Sequence, residues 1–336
     1  MSNSMQAALI THYKQSLPEI RTVPVPTLTP TDVLVRIKAA SLNPIDLKTM
    51  AGGLRPLLSY QLPLIIGSDF AGEIVAVGQQ VTTFKVGDAV YGRPRKTRIG
   101  TFATYLAIDV DDIALKPRNL SYEEAAAVPL VGLTSYQALN DILKIQSGQK
   151  ILIQAGAGGI GTLAIQLAKR LGAFVATTTS AKNVAFVQKL GADRVIDYHS
   201  ENFSTVLSNY DAVFDTLGGE NLAQAFSIVK PGGQVVSISG LPDARFAKEY
   251  GLPRWKQALF RLVTNRLTRL EKRSQVTYRF LFMWPSGTEL ATLTQLIEQH
   301  QLQPIVDQTF AFQDLNQALT ALKLGHTRGK IVVQMA

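Results

Sequence analysis

Residues 151–161 read Ile-Leu-Ile-Gln-Ala-Gly-Ala-Gly-Gly-Ile-Gly, an apolar run of strand length that breaks into a glycine-rich turn and passes directly into a helical run over 162–171. Glycines at 156, 158, 159 and 161 let the backbone turn tightly and come close to a ligand, and the helix that follows offers its N-terminal amides to an anion. Such a turn can also be purely structural. Here a second apolar run at 174–178 completes the order strand, turn, helix, strand, which is the order of a dinucleotide-binding unit. Gly158, Gly159 and Ile160 are therefore candidate contacts to a pyrophosphate.

The residues after that second run choose between dinucleotides. A site for an unphosphorylated ribose places an acid there to bind the 2′-hydroxyl, and the same acid would repel a 2′-phosphate. From Ile142 to Ala192 the chain contains no Asp or Glu, and the second strand runs out through Thr177, Thr178, Thr179, Ser180, Ala181, Lys182 and Asn183. The three threonines and Ser180 offer hydroxyl donors, Lys182 an ammonium and Asn183 an amide, groups that suit a phosphate. NADPH is the expected cofactor.

With 336 residues, 46% of them hydrophobic and 18% charged, the chain exceeds one ordinary core and is expected to form two soluble domains. It has no cysteine, which removes disulfides, thiolate nucleophiles, iron–sulfur ligation and cysteine-bound zinc together. The four histidines, His12, His199, His300 and His326, stand far apart without ligand spacing and read as surface or capping residues. The first six residues carry no basic leader and the apolar run 7–10 is too short for a signal peptide or a span, so a cytoplasmic protein without a transmembrane segment is expected. The net charge of +9 favours anionic partners without choosing among them.

Periodicity changes along the chain. Residues 6–115 read as short alternating segments, such as 33–37 and 72–77, broken by Pro and Gly, a β-rich pattern. From about residue 122, helical runs alternate with the buried runs 151–154, 174–178, 194–196, 212–214 and 235–238, a parallel sheet with helices on both faces. A strand is expected at 278–283, a helix at 289–300 capped by Ser286, and a strand–helix–strand tail over 304–336. Ahead of that strand, residues 254–273 hold seven Lys or Arg and one acid, Glu271, with apolar residues at the spacing of an amphipathic helix. That helix could lie on an anionic membrane, cover a substrate cleft, join a dimer interface, or simply show a solvated basic face.

Several further motifs occur in one order: Ala40-Ala-Ser-Leu-Asn43-Pro44-Ile-Asp46-Leu-Lys48, Gly67-Ser-Asp-Phe-Ala-Gly72, Val86-Gly87-Asp88, Gly100-Thr-Phe-Ala-Thr-Tyr105, Ala126-Ala-Val-Pro-Leu-Val-Gly-Leu-Thr134-Ser-Tyr136, Leu190-Gly-Ala-Asp193 and Gly329-Lys330-Ile-Val-Val. With the glycine turn, they make the chain resemble, over essentially its whole length, the medium-chain dehydrogenase/reductase superfamily, in its zinc-independent quinone oxidoreductase and enone (alkenal) reductase branch. The resemblance implies an α/β fold: a GroES-like β-barrel catalytic domain, residues 1–122 completed by 303–336, plus a Rossmann domain with a doubly wound parallel sheet over 123–302. It implies an active site between them and a homodimer joined through an edge strand at 277–283.

By motif position, the superfamily's catalytic zinc ligands are replaced by Asn43, Ser68 and, approximately, Leu130, none of which suits zinc. Without that Lewis acid, the implied reaction is hydride transfer from NADPH to a quinone or to the conjugated C=C of an α,β-unsaturated carbonyl compound. Lys48 matches a lysine that lies at the cofactor in enone-reductase relatives, so it is the candidate catalytic residue, as oxyanion partner or as a contact to the nicotinamide ribose. Asn43 and Asp46 read as loop-shaping residues. The family pattern further implies cofactor contacts from Thr134, Tyr198, Leu217, Leu241 and Phe282. Two alternatives stay open: a non-catalytic NADPH-binding protein working through its basic helix at a membrane or RNA, and an alcohol dehydrogenase. The reductase reading expects a small-molecule acceptor, no nucleic acid and no transmembrane segment, leaves peripheral membrane contact open as the lesser expectation, and does not name the acceptor.

Overall fold

The computed structural model describes residues 3–325 and 327–335, so His326 lies outside the described residues. The chain divides into two compact units, one running up to Leu133 and resuming at Trp284, the other Thr134–Met283. The divisions thus fall after Leu133 and Met283 rather than after residues 122 and 302. The helix Gly287–Glu298 accounts for the second difference: Tyr91 donates its hydroxyl to the Leu290 carbonyl at 2.7 Å, tying the helix to the first unit. Ser286 caps that helix, accepting from the Glu289 amide at 3.2 Å.

The first unit holds β1 (Ser4–Ile10), β2 (Glu19–Pro24), β3 (Asp32–Ser41), β4 (Leu64–Ile65), β5 (Asp69–Val77), β6 (Ala89–Gly92), β7 (Tyr105–Asp109) and β8 (Ile113–Leu115). The tail adds β15 (Val306–Ala311) and β16 (Lys330–Gln334). A seven-stranded sheet runs β15-β16-β3-β5-β6-β8 with β7 also on β3, and β1 sits between β2 and β4 in a three-stranded sheet. β16 pairs antiparallel with the end of β3, Val332 opposite Ser41, so residues almost 300 positions apart share one core. Val33, Val35, Ile37, Phe70, Ile74, Ile331 and Val333 are all buried there. Each large aliphatic side chain removed from water in this way contributes roughly 1.5–3 kcal/mol.

The second unit is a six-stranded parallel sheet of β9 (Lys150–Ile153), β10 (Phe174–Thr179), β11 (Arg194–Asp197), β12 (Tyr210–Asp215), β13 (Val229–Ser237) and β14 (Thr277–Phe280), in the order β11-β10-β9-β12-β13-β14. The order reverses between β9 and β12, which makes the crevice at their carboxyl ends the expected ligand position. The helix Gly159–Arg170 buries Leu163, Ala164, Ile165, Leu167 and Ala168, its apolar stripe at helical spacing.

Two expectations change here. The edge strand stops at Phe280 instead of continuing to 283. The single basic helix is two helices, Arg254–Val263 and Asn265–Ser274. They part at Thr264, which is buried and donates its hydroxyl to the Phe260 carbonyl at 2.6 Å. Among the described residues, no helix is long and apolar enough to cross a membrane.

Candidate functional site

In the second unit the glycine turn is held from two sides. The Gly156 amide donates to the Thr178 carbonyl at 3.0 Å, and the Ala155 amide donates to the Thr178 hydroxyl at 3.1 Å. A Cβ on Gly156 would stand 2.1 Å from Thr177 Oγ1, and one on Gly161 would stand 2.4 Å from the Ala155 carbonyl, so these two glycines are sterically required. Gly158 is the N-cap of the helix Gly159–Arg170 and is extended, leaving the first amides of Gly159 and Ile160 at the helix start. The threonines thus serve the fold: Thr177 is fully buried and donates to the Ile153 carbonyl at 2.6 Å, and Thr178 and Thr179 are buried.

A cavity of about 740 Å³ opens over the carboxyl ends of β9 to β12, lined by Ala155, Thr178, Tyr198, His199, Leu217 and Asn221 among others. It straddles the reversal of strand order and adjoins the glycine turn. The Tyr198 and His199 rings lie 4.3 Å apart at 43°, and Tyr198 is exposed, its amide donating to the Thr179 carbonyl at 3.2 Å. Ser180, Lys182 and Asn183 form the turn that follows β10, where the Asn183 amide group donates to the Ser180 hydroxyl at 3.3 Å. Tyr198 and Leu217 line the cavity, whereas Ser180, Lys182 and Asn183 stand outside its lining.

The loops after β12 and β13 are fixed by one buried acid. Asp215 accepts from the Gly218 amide at 2.8 Å, the Leu217 amide at 3.1 Å and the Ser237 hydroxyl, which in turn accepts from the Gly240 amide at 2.7 Å. Burial pushes the Asp215 carboxyl up, opposed by these donors. Tyr278 donates to the Leu241 carbonyl at 2.9 Å, completing the frame that presents Leu217 and Leu241, both about half exposed. Phe282 packs against Tyr250 and edge-on against Phe246. Thr134 is buried on the helix Pro129–Tyr136, and its neighbour Ser135 donates to the Ile160 carbonyl at 3.3 Å.

The first unit contains a closed polar cluster. Lys330 is buried and donates to the Leu42 carbonyl at 2.7 Å and to Asn43 Oδ1, with Asp69 Oδ2 at 3.5 Å. Asn43 Nδ2 donates to Asp69 at 2.9 Å, which also accepts from Ser41 and from the Leu130 amide at 2.7 Å. Asp46 accepts from the Asn43 amide at 2.8 Å and the Ser68 hydroxyl at 2.7 Å. Burial pushes the Asp46 carboxyl up to about 6, Ser68 and the Asn43 amide opposing it. Burial pulls Lys330 and Arg93 down, and the attraction of Asp69 works against both. Two acids and two bases therefore share one interior. Lys48 leaves this cluster on the helix Pro44–Met50 and is exposed.

Residues 29–118 match the family model described as the alcohol dehydrogenase GroES-like domain, and residues 190–333 match the one described as zinc-binding dehydrogenase. The chain is 35% identical over 325 residues to 2-methylene-furan-3-one reductase of Solanum lycopersicum, covering 93% of this chain and 74% of that protein. It is 33% identical to the chloroplastic NADPH-dependent alkenal/one oxidoreductase of Arabidopsis thaliana, covering 92% and 73%. The quinone oxidoreductase structure from Coxiella burnetii superposes with a TM-score of 0.85 at 32% identity, covering 99% of this chain and 100% of that one. The chain belongs to the medium-chain dehydrogenase/reductase superfamily.

Within that superfamily, the name of one matching model raises zinc. The residues here do not fit it. Asn43 is bonded to an ammonium and a carboxylate, Ser68 donates to Asp46, and Leu130 offers only its backbone amide, to Asp69. A buried lysine amid these groups repels a dication, and among the described residues no group of three His, Asp or Glu could hold a metal.

Reading the sequence as a medium-chain reductase missed Lys330, Asp69, Asp215 and Ser237 as residues that position the site. The signal for Asp215 was present, an acid ending the apolar run Ala212-Val-Phe214 just before two glycines. Lys330 gave none, since a lysine opening a terminal strand usually reaches water. Lys96 was missed as well: half-buried, with Arg93 nearby, it is pushed down to about 7, first by burial and then by that guanidinium.

Proposed function

We propose that this chain transfers hydride from NADPH to a quinone or to the conjugated C=C of an α,β-unsaturated carbonyl compound, without zinc. The observation that carries the reading is the cavity at the reversal of the parallel sheet, beside a glycine turn that opens the helix Gly159–Arg170. The chain's similarity to an alkenal/one oxidoreductase and to a quinone oxidoreductase supports the acceptor class.

Bound NADPH supplies the hydride. The amides at Gly158, Gly159 and Ile160 hold the pyrophosphate. Ser180, Lys182, Asn183 and Tyr198 would hold the 2′-phosphate, and the Tyr198 ring could also stack on the base. Leu217 and Leu241, after strands on the cofactor side of the sheet, would line its path, and Phe282 would meet the nicotinamide carboxamide through backbone groups, with Thr134 also facing that ring. Lys48 would stabilise the oxyanion that develops on the acceptor, and solvent would then protonate the α carbon of an enolate or the oxygen of a reduced quinone. A homodimer through the outer edge of β14, which is the end strand of its sheet, and a cytoplasmic location belong to the same reading.

The test is cofactor consumption by the purified chain with a panel of enones, alkenals, quinones and aldehydes. Turnover with NADPH well above that with NADH, on enones or quinones, is the expected result. Tight NADPH binding with no turnover across the panel would overturn the catalytic reading.

A further inference from the structure

The helix Arg254–Val263 is built inside out for a globular protein. Trp255, Ala258, Leu259, Leu262 and Val263 follow the i, i+3, i+4, i+7, i+8 spacing of a single face, and that face points to solvent. Trp255 is 65% and Leu262 73% exposed, and no residue of the helix is buried. Its other side carries Gln257 and Phe260, half-buried, and the helix packs on the helix Ala244–Glu249. Scattered exposed apolar residues are ordinary, whereas a contiguous stripe of them marks an interaction surface.

Charge selects the occupant. Arg254 and Arg261 flank the stripe on one side, and on the other Lys256 stands 5.5 Å from the Trp255 ring. The following helix Asn265–Ser274 adds Arg266, Arg269, Lys272 and Arg273 with Glu271 as its single acid. A two-fold contact with a second copy would set this basic patch against itself, which is repulsive. A nucleic acid would satisfy the cations and leave the Trp and Leu stripe in water. An apolar stripe bordered by lysine and arginine matches the boundary between headgroups and acyl chains of an anionic bilayer.

We propose that the helix Arg254–Val263 is an interfacial anchor that inserts Trp255, Leu259 and Leu262 into anionic membranes while the basic residues around it contact the headgroups. The anchor rests on the helix alone and is independent of the catalytic reading.

The chain has two tryptophans, so Trp284→Phe leaves Trp255 as the only indole. On phosphatidylcholine vesicles with about 30 mol % phosphatidylserine, the Trp255 emission is expected to shift to the blue, with no shift on pure phosphatidylcholine. Leu259→Glu with Leu262→Glu should weaken partitioning at least about tenfold, the two side chains being exposed so that the thermal unfolding midpoint stays near that of the parent. On the parent, raising salt from about 0.05 to about 0.5 M should weaken binding by a similar factor, a readout that needs no variant. The proposal is overturned by no shift on anionic vesicles, by partitioning of the double variant equal to the parent, by single-stranded RNA binding in place of vesicle binding, or by a concentration-dependent dimer that Leu262→Glu dissolves without any vesicle effect.

Discussion

Two polar regions of the molecule invite comparison: the closed cluster around Lys330 in the first unit and the open cavity beside the glycine turn in the second. In the cluster, Asn43, Asp46, Ser68, Asp69 and Lys330 partner one another out of contact with water. At the cavity, the polar groups with internal partners, such as the Thr177 hydroxyl and the Asp215 carboxylate, form the frame, while Tyr198 and His199 are left exposed along the wall. A fully satisfied buried network gains nothing from a ligand and serves to position backbone, whereas an incompletely satisfied wall around a void is where binding free energy is available. The cluster thus holds the start of the helix that carries Lys48 and the Leu130 amide, and the cavity is where the proposed function seats its dinucleotide.

The comparison breaks most visibly if the cluster loses its lysine. Lys330→Met keeps the volume but leaves the Asp69 carboxylate buried without its cation, and should destabilise the protein by about 3–5 kcal/mol. Denaturant unfolding measures this, and a loss near zero would mean that the cluster is not a charge-paired unit.

A pH series sharpens the same side. The Asp46 carboxyl is raised to about 6 in the fold, so its contribution to stability is complete below the unfolded value near 4 and is lost as the pH rises through about 6. Asp46→Asn removes that titration. The stability difference between parent and variant should therefore change by up to about 3 kcal/mol from pH ~4 to pH ~7, the parent losing ground as the pH rises. A parallel pair of curves would place the titration elsewhere.

The smallest effect lies on the turn that follows β10, outside the cavity lining. Lys182 is exposed, so Lys182→Ala should leave the unfolding midpoint unchanged while narrowing the NADPH-over-NADH preference about tenfold, the value of one charge-assisted contact. Comparing kcat/KM for the two cofactors decides it, and an unchanged ratio would remove Lys182 from the site.

Local patterns carried much of this. The strand–turn–helix at 150–170 was legible because its glycines and apolar run are contiguous, and the Ser286 cap was legible because a helix start is a four-residue event. The sequence misled wherever one residue type had two uses. Thr177, Thr178 and Thr179 looked like phosphate donors, and the fold uses the first two hydroxyls to pin the turn. The basic run 254–273 had the composition of one helix, and the structure divides it at the buried Thr264.

From the sequence alone came the order of strands and helices, the dinucleotide turn, the absence of an acid after the second strand and the lack of any thiolate, since each is written in neighbouring residues or in composition. Tertiary structure alone decided that Lys330 meets Asn43 and Asp69 across a sheet, that Asp215 and Ser237 tie two loops together, and that the apolar face of the helix Arg254–Val263 looks outward. Hydrogen-bond partners hundreds of residues apart leave no local signature, and periodicity defines which face of a helix is apolar without saying what lies opposite it.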